Sequence, residues 1–313
     1  MDNSVIVRLT DLSTGATVVS ADVRVHPVGT PGERCALNRQ DGEYWFNDLP
    51  EGDYSLAVHS PHHVAFYERF TQSSEVRNVM AVQLSPAGFL SGRILDERGE
   101  APERCWFTLI REGERGGRSG YVSDSGDHEV ADDGGFCSPP LRSSRYFLRF
   151  AGLLRKPAST GAADQPDSPL DRYFDFLYPN ADVLAGAEGF DVGAGETRSG
   201  LQLQIPRITT YTIRGKVIGD LPGDRAKTSV MFRRDFGTIV DEVGGGSGVP
   251  VQPDGSFEDK KHPGIYTAEI MEFSAPNQDG RVHLVRQLGK VKLDLTQGDL
   301  DDVEIYVSAD GEK

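Results

Sequence analysis

The side chains whose types and spacing could do chemistry fall in two short stretches and one cysteine pair. His59-Ser60-Pro61-His62-His63 gathers histidines as densely as anywhere in the chain, and imidazole nitrogens suit transition metals. No carboxylate or cysteine flanks them, and Pro61 turns the chain between His59 and the later two, so the cluster reads as an exposed turn. Asp124-Ser125-Gly126-Asp127-His128-Glu129, with Asp132-Asp133, is an acidic loop. The oxygens of Asp124, Asp127 and Asp132 could collect calcium, although their spacing is not that of an EF-hand. Calcium is the one cofactor left open. Cys105 and Cys137 could pair across neighbouring strands, while Cys35 stands apart. Three cysteines do not make a disulfide framework and leave the redox compartment open.

Signatures of catalysis are missing. A zinc peptidase needs His-x-x-Glu, and none of the seven histidines has a glutamate three residues on. Gly-x-Ser-x-Gly is absent too: Ser119 precedes Gly120-Tyr121 and Ser247 precedes Gly248-Val249. Gly244-Gly245-Gly246-Ser247-Gly248 lacks a phosphate-binding lysine and reads as a flexible loop. Any hydrolase site would have to be assembled across domains from an acid, a base and a nucleophile. Sugar binding by ring stacking is the other option, with Trp45, Trp106, Tyr173 and Tyr178 as candidates. Both tryptophans lie within strands and are expected as core or half-buried residues.

The elements that must position these groups are short strands. The chain has 313 residues, which favours two or three domains. Its net charge of −15 repels phosphate backbones and anionic lipid heads, so nucleic acid and membrane surfaces are not expected partners. No stretch reaches the roughly 18–20 apolar residues of a membrane span. Met1-Asp2-Asn3-Ser4-Val5 has neither a basic region nor an apolar core, so the expectation is a cytoplasmic chain or one whose leader has been removed.

A pattern occurs three times: an Asp-Gly turn leading into an aromatic residue, then a second turn followed by tyrosine. The copies are Asp41-Gly42-Glu43-Tyr44 with Tyr54, Asp133-Gly134-Gly135-Phe136 with Tyr146, and Asp254-Gly255-Ser256-Phe257 with Tyr266. Asp-Gly tolerates the positive φ of a tight turn, and the aromatic starts a strand facing the core. Each tyrosine can pack its ring inside and reach a turn carbonyl with its hydroxyl. Alternation in Tyr54-Ser55-Leu56-Ala57-Val58, and of Val303, Ile305 and Val307 with Glu304 and Tyr306, has the period of half-buried strands. Leu184 to Ala187 reads as one helical turn. The polar run from Arg155 to Gln165-Pro166 cannot bury a core and reads as a mobile loop at about 152–170. Tyr173 and Tyr178 flank it, which makes that region the preferred functional surface.

These turns resemble carboxypeptidase regulatory-like domains, the transthyretin-like β-sandwich modules with Gly-x-Val, Asp-Gly-aromatic and Pro-x-Gly-x-Tyr in succession. Gly92-Arg93-Ile94 and Gly215-Lys216-Val217 supply the opening in the second and third copies, and the first lacks that glycine. Pro50-Glu51-Gly52 and Pro263-Gly264 supply the second turn, which Pro140 to Arg145 replaces in the second copy. Related adhesin domains carry a Lys-Asn crosslink assisted by a glutamate four residues after the tyrosine. Val58, Phe150 and Ile270 stand there, and the first copy holds no lysine, so the resemblance does not extend to the crosslink. It implies three tandem antiparallel Greek-key, transthyretin-like β-sandwich domains at 1–86, 87–207 and 208–313. The implied role is a non-catalytic structural or interaction module of a secreted or envelope protein, with the cytoplasm left open. Its partner would be another protein or a second copy, with a polysaccharide as the alternative.

Overall fold

The structure, a computed structural model, describes residues 4–29, 31–38, 41–73, 77–124, 126–155, 172–219, 221, 228–237, 247–274 and 283–308. Among these the chain is all-β, built of tandem β-sandwiches. The first stretch holds β1 (Val5–Asp11), β2 (Asp22–Pro27), β3 (Arg34–Cys35), β4 (Leu37–Asn38), β5 (Glu43–Phe46), β6 (Gly52–Ser60), β7 (His63–Gln72) and β8 (Asn78–Leu84). The second holds β9 (Phe89–Leu95), β10 (Arg104–Arg115), β11 (Arg118–Ser123), β12 (His128–Glu129), β13 (Gly135–Cys137), β14 (Ser144–Leu153), β15 (Tyr173–Leu177), β16 (Gly189–Val192) and β17 (Thr197–Gln204). The third holds β18 (Tyr211–Ile218), β19 (Thr228–Arg234), β20 (Ser247–Pro250), β21 (Ser256–Lys261), β22 (Ile265–Phe273), β23 (Leu284–Asp294) and β24 (Leu300–Tyr306). The expected helical turn is a 3-10 turn at Leu184–Gly186.

The sheets repeat as the sequence does. Three have the first strand of each stretch at their centre, in the orders β4-β5-β1-β8, β13-β9-β17 and β21-β18-β24. Their partners run β3-β2-β6-β7, β11-β10-β14-β15 and β20-β19-β22-β23. Pairing is not antiparallel throughout: β1 runs parallel to β8, and β18 to β24. Each of these closing strands leaves the partner sheet to lie beside the opening one, and a crossover of that kind permits a parallel neighbour. The chain divides into two compact units, one of Met1–Gly92, Cys137–Ser144 and Asp191–Leu201, the other of Arg93–Phe136, Arg145–Phe190 and Gln202–Lys313.

The Asp-Gly turns are the same device three times. Gly42, Gly134 and Gly255 have φ of 79°, 84° and 87°, a region that costs other residues a Cβ clash. Their carbonyls accept the amides of Leu9, Ile94 and Val217 on the opening strands, at 3.2, 2.9 and 2.9 Å. Each aspartate caps the next strand, with Oδ1 accepting from the amides of Glu43, Gly135 and Ser256. The tyrosines do as expected where the turn is compact. Tyr54 donates to the carbonyl of Pro50 at 3.0 Å, and Tyr266 to that of His262 at 2.9 Å.

The strand periodicity becomes core. In the first stretch Val5, Val7 and Leu9 pack with Val23, Val25, Tyr54, Leu56 and Val58. In the third, Ile213, Val217 and Ile305 meet Val230, Phe232, Ala268 and Ile270. In the second, Phe107 packs against Phe136 and Phe150 at centroid distances of 5.4 and 6.0 Å.

The turn glycines separate two costs. Alanine at Gly99, with φ +78° and open space around it, should cost about 1 kcal/mol of backbone strain. Alanine at Gly134 adds a Cβ 2.4 Å from the Ile94 carbonyl oxygen, so urea unfolding should show a clearly larger loss. Equal losses at the two positions would refute this account of the turn.

Candidate functional site

The outer face of the sheet containing β10, β14 and β15 carries a grouping of charged and aromatic side chains. Strand alternation puts Phe107, Leu109, Leu148 and Phe150 inward and buries them. It puts Trp106, Thr108, Ile110, Phe147, Arg149 and Ala151 outward. Directly opposed residues share a face, so Leu177, paired with Arg149, and Asp175, paired with Ala151, lie outward as well.

Part of that face is covered. Ile110, Phe147, Leu177, Ala181 and Leu184 form one buried cluster with Phe236, which follows β19. Charge is buried there too. Arg149 donates to Asp175 through two parallel bonds, Nε to Oδ1 at 2.8 Å and Nη2 to Oδ2 at 2.9 Å, the fork geometry of the strongest ion pairs. Arg234, at the end of β19, donates to the Asp175 carbonyl, to Asp182 Oδ1 at 2.6 Å and to the Pro263 carbonyl at 2.7 Å. The guanidinium carbons of Arg149 and Arg234 lie 5.0 and 4.8 Å from the Phe236 ring centre, within cation–π range. Arg149, Asp175 and Arg234 keep 6, 10 and 5% of their side-chain surfaces exposed. This is a joint between the second and third sheet pairs, closed by burial and paired charge.

The joint also shifts the ionisation of two side chains. Burial, joined by the Asp175 carboxylate, pushes the Tyr173 hydroxyl up to about 12. Burial lowers His262 from its ordinary 6.5. The Thr209 carbonyl, which accepts from Nδ1, opposes that shift and the Arg234 charge reinforces it. The two rings meet at 5.6 Å.

The expected site residues scatter. Tyr173 and Tyr178 are half-buried, the first against His262 and the second against Phe190 at 5.3 Å, so neither is a free stacking platform. The mobile loop expected at about 152–170, just before them, lies over 156–171 outside the described residues. Trp45 is half-buried and engaged: Nε1 donates to Glu43 at 3.1 Å, and the Arg77 guanidinium sits 4.6 Å from its ring centre. Trp106 departs from the expected burial and is 37% exposed.

The calcium set does not assemble. Asp124 accepts from Arg111 and from the Tyr146 hydroxyl. Asp127 accepts from Thr108 Oγ1 at 2.6 Å, and Asp132 lies in another turn, where its carbonyl accepts from Arg155. Among the described residues no three His, Cys, Asp or Glu side chains form a group that could hold a metal ion. Cys105 and Cys137 are free thiols, not a disulfide. They occupy β10 and β13, strands of different sheets, and burial raises the Cys105 thiol to about 12.

The histidine cluster is only partly the exposed turn expected of it. Ser60 Oγ lies 2.9 Å from His63 Nδ1, and His63 Nε2 lies 3.0 Å from Asp11 Oδ2. Ser13 and Thr14 hold the Asp11 carboxyl well below the usual range. This is an acid, a base and a nucleophile in series. With Ser60 only 8% exposed, its hydroxyl is closed to an incoming carbonyl carbon. The chain of bonds pins the β6–β7 turn to the end of β1.

Sequence reasoning missed the joint and this pin. Phe147 and Arg149 in the outward phase of a strand whose inward phase is Leu148 and Phe150 were the available signal that both faces are covered. Asp11, about fifty residues from His63 in the chain, gave none.

No family model matches the chain, and no curated protein matches it. Solved structures align with it weakly. The Bacillus anthracis TIE protein matches 98% of this chain and 51% of that one, at 12% identity and a TM-score of 0.25, so this chain spans about half of that protein's length. GBS52, the minor pilin of Streptococcus agalactiae, matches 71% of this chain and 99% of its own at 11% identity and a TM-score of 0.31. A DUF3823 family protein from Bacteroides uniformis matches 62% and 99% at 11% and 0.23. Likenesses at this level carry no functional weight.

Two measurements test the joint. Arg149→Met leaves a buried carboxylate short of its partner and should cost about 3–5 kcal/mol in chemical denaturation. Arg149→Met with Asp175→Leu should cost less than the single change, and a more destabilised double variant would contradict the pairing. For His262 the unfolded chain takes up the proton first, so this residue's contribution is complete above 6.5 and is lost as pH falls below it. Melting temperature should drop between about pH 7 and pH 5, and His262→Gln should flatten that drop. An unchanged slope would remove His262 from the account.

Proposed function

We propose that this chain is a non-catalytic structural and interaction module of a secreted or cell-envelope protein. Its sandwiches act as a jointed scaffold that presents loops and sheet edges to another protein or to a second copy. The observation that carries this reading is the joint at Arg149, Asp175, Arg234 and Phe236, where buried ion pairs lock one sheet pair onto the next. A binding pocket that must admit ligand would leave such charges reachable. Here they are spent on one another, as suits a scaffold that must hold a fixed arrangement.

Two further observations support it. The Asp11–His63–Ser60 series of the first unit keeps its serine buried. Among the described strands β7 and β23 stand last in their sheets, and edge strands are templates for added strands. The turn chemistry supports kinship with carboxypeptidase regulatory-like domains, with three domains at 1–86, 87–207 and 208–313. No described helix is long and apolar enough to cross a membrane.

Sedimentation equilibrium over a wide concentration range, together with capture on immobilised copies of the chain, should show a concentration-dependent mass or specific self-capture. Labelling of Ser60 by a fluorophosphonate, with ester turnover lost in Ser60→Ala, would sink the non-catalytic reading.

A further inference from the structure

The outer face of the β10–β14 sheet is only partly covered by the joint, and its other end is open. There Trp106 projects from β10 with Glu129 of β12 directly opposite on one side and Ala151 of β14 on the other. Arg104, two residues back on the same strand, shares the face and lies opposite Leu153. Glu129 and Arg104 are exposed, while Ala151 and Leu153 are partly so.

The two tryptophans of the protein differ in what surrounds them. Trp45 has its N–H bonded to a carboxylate and a guanidinium over its ring. Among the described residues Trp106 has no ring or cation contact, and its indole N–H has no acceptor. The head groups of Glu129 and Arg104 likewise have no hydrogen-bond or ionic partner there. An exposed indole in a sheet normally leans on a cross-strand side chain. Here one neighbour is a methyl group and the other a carboxylate at the rim, and Trp106 keeps 37% of its surface exposed.

We propose that Trp106, Glu129 and Arg104 form a binding site for a neutral hexopyranose chain. The apolar C–H face of a pyranose ring matches an indole in size and polarity. Its hydroxyls donate to a carboxylate and accept from a guanidinium, so Glu129 and Arg104 can each hold adjacent hydroxyls while the ring lies on Trp106. The low floor at Ala151 lets a ring lie flat beside the indole. Charge selects the class of sugar. Glu129 and Arg104 cancel locally, and the chain's net charge of −15 repels polyanionic glycans. This site goes beyond the scaffold role and does not depend on it.

Intrinsic fluorescence reads the site directly, because Trp45→Phe leaves Trp106 as the sole indole. Titration of that variant with cello-, laminari-, manno- and chito-hexaose should give a saturable change in emission with at least one of them. In affinity electrophoresis the corresponding polysaccharide should retard the wild type and not Trp106→Ala. Glu129→Gln and Arg104→Gln, on exposed positions and folded by circular dichroism, should each weaken binding about tenfold, as loss of a charged hydrogen-bond partner does. No emission change with any of the four sugars would overturn the proposal, and so would retardation that survives Trp106→Ala. A concentration-dependent mass lost in Trp106→Ala, without sugar binding, would make the patch a protein interface and overturn it equally.

Discussion

Each sandwich hangs on one backbone contact: the carbonyl of an Asp-Gly glycine accepting the amide of the opening strand. The bond forms only if the glycine takes a positive φ, and at Gly134 and Gly255 the opening-strand carbonyl stands where a Cβ would go, 2.4 and 3.0 Å away. At Gly42 the Thr17 side chain occupies that space. The opening strand is the centre of its sheet, with the turn's own strand on one side and the closing strand on the other. The turn therefore fixes the register of the aromatic that enters the core, and through it the phase of every inward residue. A change of one residue there would send Tyr44, Phe136 or Phe257 to the wrong face.

The joint shows the opposite economy. Removing Arg149, Asp175 and Arg234 from water costs several kcal/mol per ion before any attraction is counted. Well-packed apolar side chains at the same positions would hold at least as firmly. What paired charge adds is direction: a bidentate fork accepts one orientation, and Arg234 bonds at once to Asp175, Asp182 and Pro263. Both guanidinium groups lie against the Phe236 ring, so the aromatic and the ion pairs position each other. The Leu184 amide donating to the Phe236 carbonyl at 3.0 Å adds a backbone tie that no slide along the face would preserve.

The fold was legible where local rules govern it. Asp-Gly-aromatic turns, turn tyrosines and two-residue periodicity located the strands because each depends on φ or on a single face. The parallel pairings of β8 and β24 were not legible, since direction depends on which sheet a strand joins and not on its residues. The hairpin of β10 and β11 was passed over although Gly116-Gly117 marks its turn. The site was read less well. Tyr173 was chosen for flanking a polar loop, yet its ring is spent against His262. Asp124 and Asp127 looked like calcium ligands because sequence shows charge and not the Arg111 and Thr108 donors that consume it. The expectation of Trp106 as a core or half-buried residue follows from its place in a strand, although Cys105 and Phe107 on either side already claim the inward phase.

The two halves of the outer β10–β14 face obey one rule with opposite results. Where the outward row carries Ile110, Phe147 and Leu177, apolar area is too large to leave in water, and the segment around Phe236 covers it. Where the row runs through Arg104, Trp106, Ala151 and Leu153, the apolar area is one indole and two small patches. Charged heads stand beside it, and no covering element is needed for stability. Burying that end under another sandwich would strand Arg104 and Glu129 without water, at a cost neither could recover from the other across the indole. The open end is thus a stable surface in its own right. Its part-exposed indole and two exposed charges remain available to a partner that brings hydroxyl groups of its own.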